Sequence, residues 1–148
     1  MSTASSSENF SYVSDNVAGF GIPRSHSNVD YLVNKEKITN IITLCDELPL
    51  NFKDFSDKLK WHQFVVPDFD APSQDIIKSC IKTINEAISK NEKIAGKGRT
   101  GTILACHLVE HRKINAEKAI RLLRELRPGS IESKVHEDSI EKYSKILH

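Results

Sequence analysis

A run of glycines between residues 95 and 101, Ala-Gly-Lys-Gly-Arg-Thr-Gly, limits the local fold of this chain more than any other segment. Glycine permits the positive φ angles and the close backbone approaches that residues with a Cβ rarely tolerate. An apolar stretch at 103–109 follows directly and is typical of a buried helix. The pattern predicts a turn whose backbone amides converge at a helix N-terminus, where the helix dipole favours an anion.

Arg99 adds a cation to this predicted turn. A guanidinium can hold two oxygens of one phosphate group at once, so the site is expected to take phosphate monoesters. The residues predicted to bind phosphate are Ala95, Gly96, Lys97, Gly98, Arg99 and Thr100.

A nucleotide-binding loop of the Walker type is excluded by spacing. That loop requires G-x-x-x-x-G-K-[ST], in which two glycines and a hydroxyl residue have fixed places. Here Asn91 stands where the first glycine belongs, and Gly98 replaces the Ser or Thr.

The second half of the run instead resembles the signature H-C-x5-R-[ST]-G of cysteine-dependent phosphatases. The same resemblance is carried by N-F-S-Y-V at 9–13, V-A-G-F-G-I-P-R at 17–24, V-V-P-D-F at 65–69, G-R-T-G-T-I-L-A-C-H-L-V at 98–109 and R-P-G-S-I-E at 127–132. From residue 9 onward the chain is similar to a small atypical dual-specificity phosphatase. The resemblance implies hydrolysis of phosphotyrosine and phosphoserine or phosphothreonine esters through a phosphocysteine, with phosphorylated proteins or peptides as partners and without metal or cofactor.

The resemblance also assigns roles to four residues. Arg99 resembles the arginine that binds the phosphate, and Thr100 the hydroxyl that helps the thiolate leave. Asp68, in Pro-Asp-Phe after a predicted strand, resembles the general acid. Glu132 falls at the acidic position that orients the hydrolytic water.

The nucleophile is missing from this pattern. Six residues before Arg99 stands Lys93, with Glu92 at the place of the family histidine. A protonated ammonium with an ordinary pKa of about 10.4 is not a nucleophile at neutral pH. Segment 91–94 also lacks the apolar strand that delivers the cysteine in the family. Compared with the H-C-x5-R pattern, the chain lacks about five residues, which we place between Ile94 and Ala95. Without the cysteine we expect no cysteine-dependent turnover.

The three cysteines, Cys45, Cys80 and Cys106, are interpreted as reduced core thiols. Cys106 is rejected as a substitute nucleophile because it follows Arg99 by seven residues on an apolar helix face. The six histidines show no metal-ligand spacing and are predicted at the surface.

A basic run on one predicted helix has two interpretations. Arg121, Arg124 and Arg127 are predicted to form the solvated face of an amphipathic helix. The alternative is that they hold an acidic peptide beside the phosphate.

Composition limits the remaining possibilities. The 148 residues, 39% of them hydrophobic, predict one domain over 9–148 behind a disordered Ser-rich tail at 1–8. With 21 Lys and Arg against 20 Asp and Glu, neither nucleic acid nor an anionic membrane is expected as a main partner. No signal peptide or membrane span is found, so a location in the cytoplasm or nucleus is expected. The chain is also expected to be a monomer.

Hydrophobic periodicity predicts an α/β fold like that of dual-specificity phosphatases, with a small central sheet flanked by helices and without the strand before the phosphate loop. The predicted strands are 10–13 and 17–20, which form a hairpin, 39–45 and 60–66. The predicted helices are 73–90, 100–112, 115–127 and 135–147, and a further helix carries Leu32 and Val33 behind caps at Ser25 or Ser27.

Three hypotheses about function stay open at this point. The chain is an incomplete isoform of an active phosphatase, or a non-catalytic pseudophosphatase that binds phosphate or phosphopeptides, or a chain that the deletion leaves largely unfolded.

Overall fold

The computed structural model describes residues 10–21, 30–44, 57–66, 71–97, 100–131 and 133–147. Five strands form one sheet in the order β1-β2-β5-β3-β4. They are β1 Ser11–Ser14, β2 Val17–Phe20, β3 Ile38–Thr43, β4 Lys60–Gln63 and β5 Lys93–Lys97. The helices are α1 Gln74–Ser89, α2 Gly101–Arg112, α3 Ala116–Leu126 and α4 Lys134–Leu147, with a short π-helix at Tyr31–Lys35. The predicted α/β class with a central sheet flanked by helices is confirmed.

The sheet is parallel except at its first strand. Strands β1 and β2 form the predicted antiparallel hairpin, whereas β2, β5, β3 and β4 all run in the same direction. The carboxyl ends of these four strands therefore meet at one edge. Ligands of open α/β sheets bind at such an edge, so it is the place to look for a site.

The centre of the sheet is occupied by β5, where the sequence predicts no strand. That prediction is wrong. Ala95 pairs with Ala18 on one side and with Ile41 on the other, and Gly96 pairs with Gly19 and Ile42. Without a strand between them, β2 and β3 would each have a row of unpaired backbone hydrogen-bonding groups. The free-energy cost of these unpaired groups outweighs the low strand propensity of glycine. Residues 95–97 therefore lie in a strand and not in a turn.

The two faces of the sheet bury different sets of side chains. Ile94 faces the four helices and contributes to the larger cluster, together with Ile84, Leu104 and Leu108. The next residue, Ala95, faces the smaller cluster on the opposite side. A shift of one residue would exchange the large and small side chains, so this alternation fixes the register of β5.

The helices begin within one residue of the predicted positions, and polar side chains cap two of them, α1 and α3. Ser73 Oγ accepts a hydrogen bond from the Ile76 amide at 3.2 Å, and Asn115 Oδ1 accepts one from the Lys118 amide at 2.9 Å. The predicted tail and the predicted caps at residues 25 and 27 lie outside the described residues. Within the described ranges, none of the helices has the length and hydropathy needed to cross a membrane.

Candidate phosphate site at the carboxyl edge of the sheet

The carboxyl end of β5 leads into α2 through only three residues, 98–100. Thr100 is the N-cap residue, and its carbonyl accepts a hydrogen bond from the Leu104 amide at 3.0 Å. Its side chain makes no capping bond. Thr100, the described residue at this end, therefore leaves the amides of the first turn of α2 without a side-chain cap, and the helix dipole makes this end electropositive.

The structure places some of the predicted site residues in or beside this junction. Ala95 and Gly96 are buried inside β5, and Thr100 is buried at the start of α2. A Cβ on Gly96 would overlap the hydroxyl of Thr100, so these two residues are in direct contact. Lys97 ends the strand. The predicted residues Asp68, Gly98, Arg99 and Glu132 lie outside the described residues, and the roles of all of them stay predictions.

Lys93, at the counted position of the nucleophile, lies at the opposite end of β5. Its ammonium is 5.1 Å from the centroid of the Tyr12 ring. The four steps from Lys93 to Lys97 correspond to about 13 Å of strand at 3.3 Å per residue. Lys93 therefore belongs to the amino edge of the sheet and not to the junction with α2.

Glu92 lies in a polar network at the same amino edge. Asn40 Nδ2 donates to Glu92 Oε1 at 3.1 Å, and Lys60 Nζ lies 3.5 Å from Glu92 Oε2. The hydrogen bond from Asn40, followed by the charge of Lys60, lowers the pKa of Glu92. His62 Nε2 lies 3.0 Å from Asn40 Oδ1, and burial lowers the pKa of this histidine. The network joins β3 and β4 to the start of β5, which is a structural role.

The thiols in the described part of the chain are buried in the helical layer. Cys80 on α1 and Cys106 on α2 have no exposed surface, and both are unpaired. Burial raises the pKa of Cys80 to about 12, and it also raises the pKa of Cys106. A thiol with such a pKa supplies almost no thiolate at neutral pH. The prediction of core thiols is confirmed for these two, and Cys45 lies outside the described residues.

The sequence interpretation of Arg127 as part of a solvated face is wrong. Arg121 and Arg124 are exposed, and they lie near Glu117 and Glu137 at 3.0 and 3.6 Å. Arg127 is only 2% exposed. The helix ends at Leu126, and the extended backbone of Arg127 turns its side chain away from the helix face. The following Pro-Gly was the signal that the helical spacing stops here.

His107 is a second residue that the sequence interpretation misplaces. It was predicted at the surface, yet it is buried on α2, and its Nε2 lies 2.9 Å from Ser14 Oγ. Burial, with the nearby charges of His111 and Arg112, lowers the pKa of His107 to about 4. Its position within a continuous apolar stretch was the signal for burial.

An α/β domain with a glycine-rich strand running into an electropositive helix end matches known proteins. A family model described as "Swiss Army Knife protein, DSP-PTPase phosphatase domain" matches residues 8–140. The chain is 32% identical over 112 residues to the dual specificity protein phosphatase CDC14B of Mus musculus, which is 72% of this chain and 23% of that protein. It therefore spans about a quarter of the length of that relative.

Two solved structures share the fold. Tk-PTP in its active form superposes with a TM-score of 0.82 at 20% identity, covering 93% of this chain and 97% of that one. Kinase associated phosphatase, crystallised with its catalytic site cysteine replaced by serine, gives a TM-score of 0.81 at 16% identity, with 96% and 97% covered. The chain belongs to the dual-specificity and tyrosine phosphatase family, a family of protein phosphatases.

Proposed function

We propose that this chain is a phosphatase-family domain that does not turn over phosphate esters. The supporting observation is the position of β5. In the H-C-x5-R pattern, the cysteine lies at the start of the turn that ends in the arginine. Here the residue six places before Arg99 is Lys93, at the far edge of the sheet, and only residues 98–100 separate the strand from α2. The segment that forms the turn in the pattern serves here as the central strand.

The buried thiols support the same proposal. Cys80 packs on α1 in the helical core, and Cys106 lies on α2 with a pKa raised by burial. Neither thiol is ionised at neutral pH, so neither supplies a substitute nucleophile.

The test is the hydrolysis of an aryl phosphate by three purified proteins. They are the chain as it stands, a version with five residues ending in His-Cys-x inserted between Ile94 and Ala95, and the same version carrying Arg99→Met. We expect no turnover from the first, turnover from the second, and loss of that turnover in the third. Turnover by the unaltered chain would overturn the proposal, and Arg99→Met in that chain would then show whether the turnover belongs to this site.

The insertion version also tests the remaining predicted roles. We propose Asp68 as its general acid and Glu132 as the residue that orients water. Asp68→Asn is expected to lower kcat by about 10² or more, the range of general acid catalysis. An unchanged rate in Asp68→Asn would remove this residue from the mechanism.

The second candidate function is the capture of phosphorylated proteins without cleavage. The uncapped first turn of α2 favours it, because free amides at a helix N-terminus attract phosphate. Arg99 would supply the guanidinium. Binding of a phosphotyrosine peptide that Arg99→Met leaves unchanged would exclude this function. For both candidate functions we propose that the chain is a monomer in the cytoplasm or nucleus. Its proposed partners are phosphorylated proteins.

A further inference from the structure

The two edges of the sheet differ in what covers them. β1 forms one edge and contacts α2 and α3. β4 forms the other edge and, among the described elements, packs closely only on β3. The small cluster on the sheet face away from the four helices takes buried residues from β2, β3 and β5 and none from β4. The outer side of β4 is therefore open within the described part of the chain.

The backbone of β4 and of the residues after it alternates between β3 and this open side. The amides of Phe64 and Val66 donate to main-chain carbonyls at the end of β3 and just after it, at 2.9 and 3.0 Å. The hydrogen-bonding groups of successive residues in a strand point to opposite sides, so those of Val65 point outward, as do those of Trp61 four residues earlier. Within the described ranges, these outward groups of Trp61 and Val65 form no backbone hydrogen bond.

Side-chain exposure follows the same alternation. Trp61 is 38% exposed and Val65 57%, whereas Phe64 and Val66 are half-buried against the helical core. The indole N–H of Trp61 donates to Thr43 Oγ1 at 2.6 Å, which holds the ring beside the edge. The sequence that begins at Trp61, Trp-His-Gln-Phe-Val-Val, contains no Asp, Glu, Lys or Arg and is rich in residues that favour strands. An open edge of this composition is a template for a further strand.

The open edge leads toward the candidate phosphate site. β4 and β5 are both parallel to β3, so the carboxyl end of β4 lies at the edge of the sheet where α2 begins. A strand added outside β4 lies three strand spacings from β5, or about 14 Å, and about four extended residues span that distance. Antiparallel pairing is the more stable kind, and an antiparallel added strand runs away from the carboxyl edge. A phosphorylated residue at that edge therefore precedes the added strand.

We propose that the outer edge of β4 binds an extended segment of a phosphorylated partner protein as a sixth strand of the sheet. The main-chain groups of Trp61 and Val65 pair with the segment, and their side chains pack on uncharged β-branched or aromatic residues at its alternate positions. The phosphorylated residue lies about four residues ahead of the segment. This recognition rests on the proposed capture of phosphorylated proteins and adds a sequence preference to it.

The experiment measures binding of labelled peptides to the full chain by fluorescence anisotropy. The probe consists of phosphotyrosine, a Gly-Ser linker of about four residues and the strand Thr-Val-Thr-Val-Thr. In the comparison peptide, Gly and Ser replace the strand. We expect the strand to tighten binding at least tenfold. Val65→Pro removes an outward N–H and no hydrogen bond to β3, so it should abolish this tenfold difference.

Val135→Pro is the matched control. Val135 is also 57% exposed, but it lies in the first turn of α4, where proline is tolerated. This variant should bind both peptides as the unaltered chain does.

A second test changes the peptide and not the protein, so it decides the question if Val65→Pro does not fold. Two forms of the probe carry N-methyl groups, one on the first, third and fifth residues of the strand and the other on the second and fourth. Alternate residues of an added strand face β4, so only one of the two forms should lose the tenfold gain.

Three outcomes would overturn the proposal: equal binding of the probe and the comparison peptide, a tenfold difference that survives in Val65→Pro, or equal effects of the two N-methylated forms. An unphosphorylated probe separates this proposal from phosphate capture. If it binds as tightly as the phosphorylated probe and Val65→Pro weakens both, the added strand is supported and phosphate capture fails. If the phosphorylated peptides bind equally well with and without the strand, phosphate capture is supported and the added strand fails.

Discussion

Gly101 begins α2 against the backbone of Ser130. A Cβ at this position would overlap the Ser130 carbonyl oxygen and carbon, which belong to the main chain and cannot rotate away. Alanine is favoured over glycine in helices by up to about 1 kcal/mol, but the collision is larger. We expect Gly101→Ala to lower the free energy of unfolding by about 1–3 kcal/mol, the range of overpacked sites, as measured by urea denaturation.

The matched control is Gly129→Asn. Gly129 has a φ of 82°, and a Cβ there would meet no heavy atom within 4 Å. Asparagine tolerates this conformation better than other residues with a side chain do, so the loss of stability is expected to stay below about 1 kcal/mol. Equal losses in both variants would contradict the backbone contact at Gly101. Cooperative unfolding in these experiments would also exclude a largely unfolded chain.

His107 makes stability depend on pH. Its pKa in the folded protein is about 4, because burial disfavours the charged ring, against an ordinary value of about 6.5. The unfolded chain therefore binds the proton more readily between these values. The stabilisation is fully present above pH 6.5 and is lost as the pH falls toward 4, by about 3 kcal/mol in total. Urea denaturation between pH 7 and 4 measures the change.

The control for this prediction uses two glutamine variants. His107→Gln keeps a nitrogen near Ser14 and removes the titration, so its stability should fall less over this pH range. His111→Gln alters an exposed neighbour whose ring stacks on His107 at 5.0 Å, and it should keep most of the pH dependence, because burial is the largest cause of the lowered pKa of His107. If His107→Gln and the unaltered chain lose stability in parallel, another group is responsible.

At the scale of elements, the helices and the strand β5 show what the sequence could and could not predict. The helices were predicted within one or two residues, because apolar periodicity and the caps at Ser73 and Asn115 are local signals. The strand β5 was missed because its sequence, Lys-Ile-Ala-Gly-Lys, is typical of a turn. Its conformation is decided by pairing with β2 and β3, which is not a local property.

The same distinction applies to the candidate site. The glycine run does precede a helix, and Gly96 contacts Thr100 at the start of α2, but residues 95–97 form a strand there and not the predicted turn. The burial of Arg127 was not predicted, because this residue continues the three-residue spacing of Arg121 and Arg124 although the helix has already ended. The burial of a residue just beyond a helix depends on which element packs there, here β2.

Hydrogen bonds from Asn40 on β3 hold the amino end of β5. Its amide donates to Glu92 Oε1 at 3.1 Å and to the Lys93 carbonyl at 3.4 Å, and its carbonyl oxygen lies 3.0 Å from His62 Nε2. We expect Asn40→Ala to cost about 2 kcal/mol, because a buried hydrogen-bonded group is lost and its partners stay unpaired. Thermal or urea unfolding measures the loss.

Asn85→Ala is the control for Asn40→Ala. Asn85 is exposed on α1, where alanine is the better helix former, so stability should stay the same or rise by about 0.5 kcal/mol. A small effect in Asn40→Ala, equal to that of the control, would show that β5 does not depend on this network.

At the scale of the whole molecule, the central sheet and a phosphate loop require the same residues of the chain. Pairing on both sides of β5 satisfies the backbone of residues 94–96 and completes the core on both faces of the sheet. The residues so used are unavailable for a turn around a phosphate.

Amide hydrogen exchange of the unaltered chain, followed residue by residue by NMR, tests this claim most directly. We expect the amides of Ile94, Ala95 and Gly96 to exchange as slowly as those of Ile41 and Ile42 in β3, because these residues pair in the centre of the sheet. Fast exchange of Ala95 and Gly96, at the rate of an exposed turn, would contradict the strand. It would return these residues to a phosphate loop.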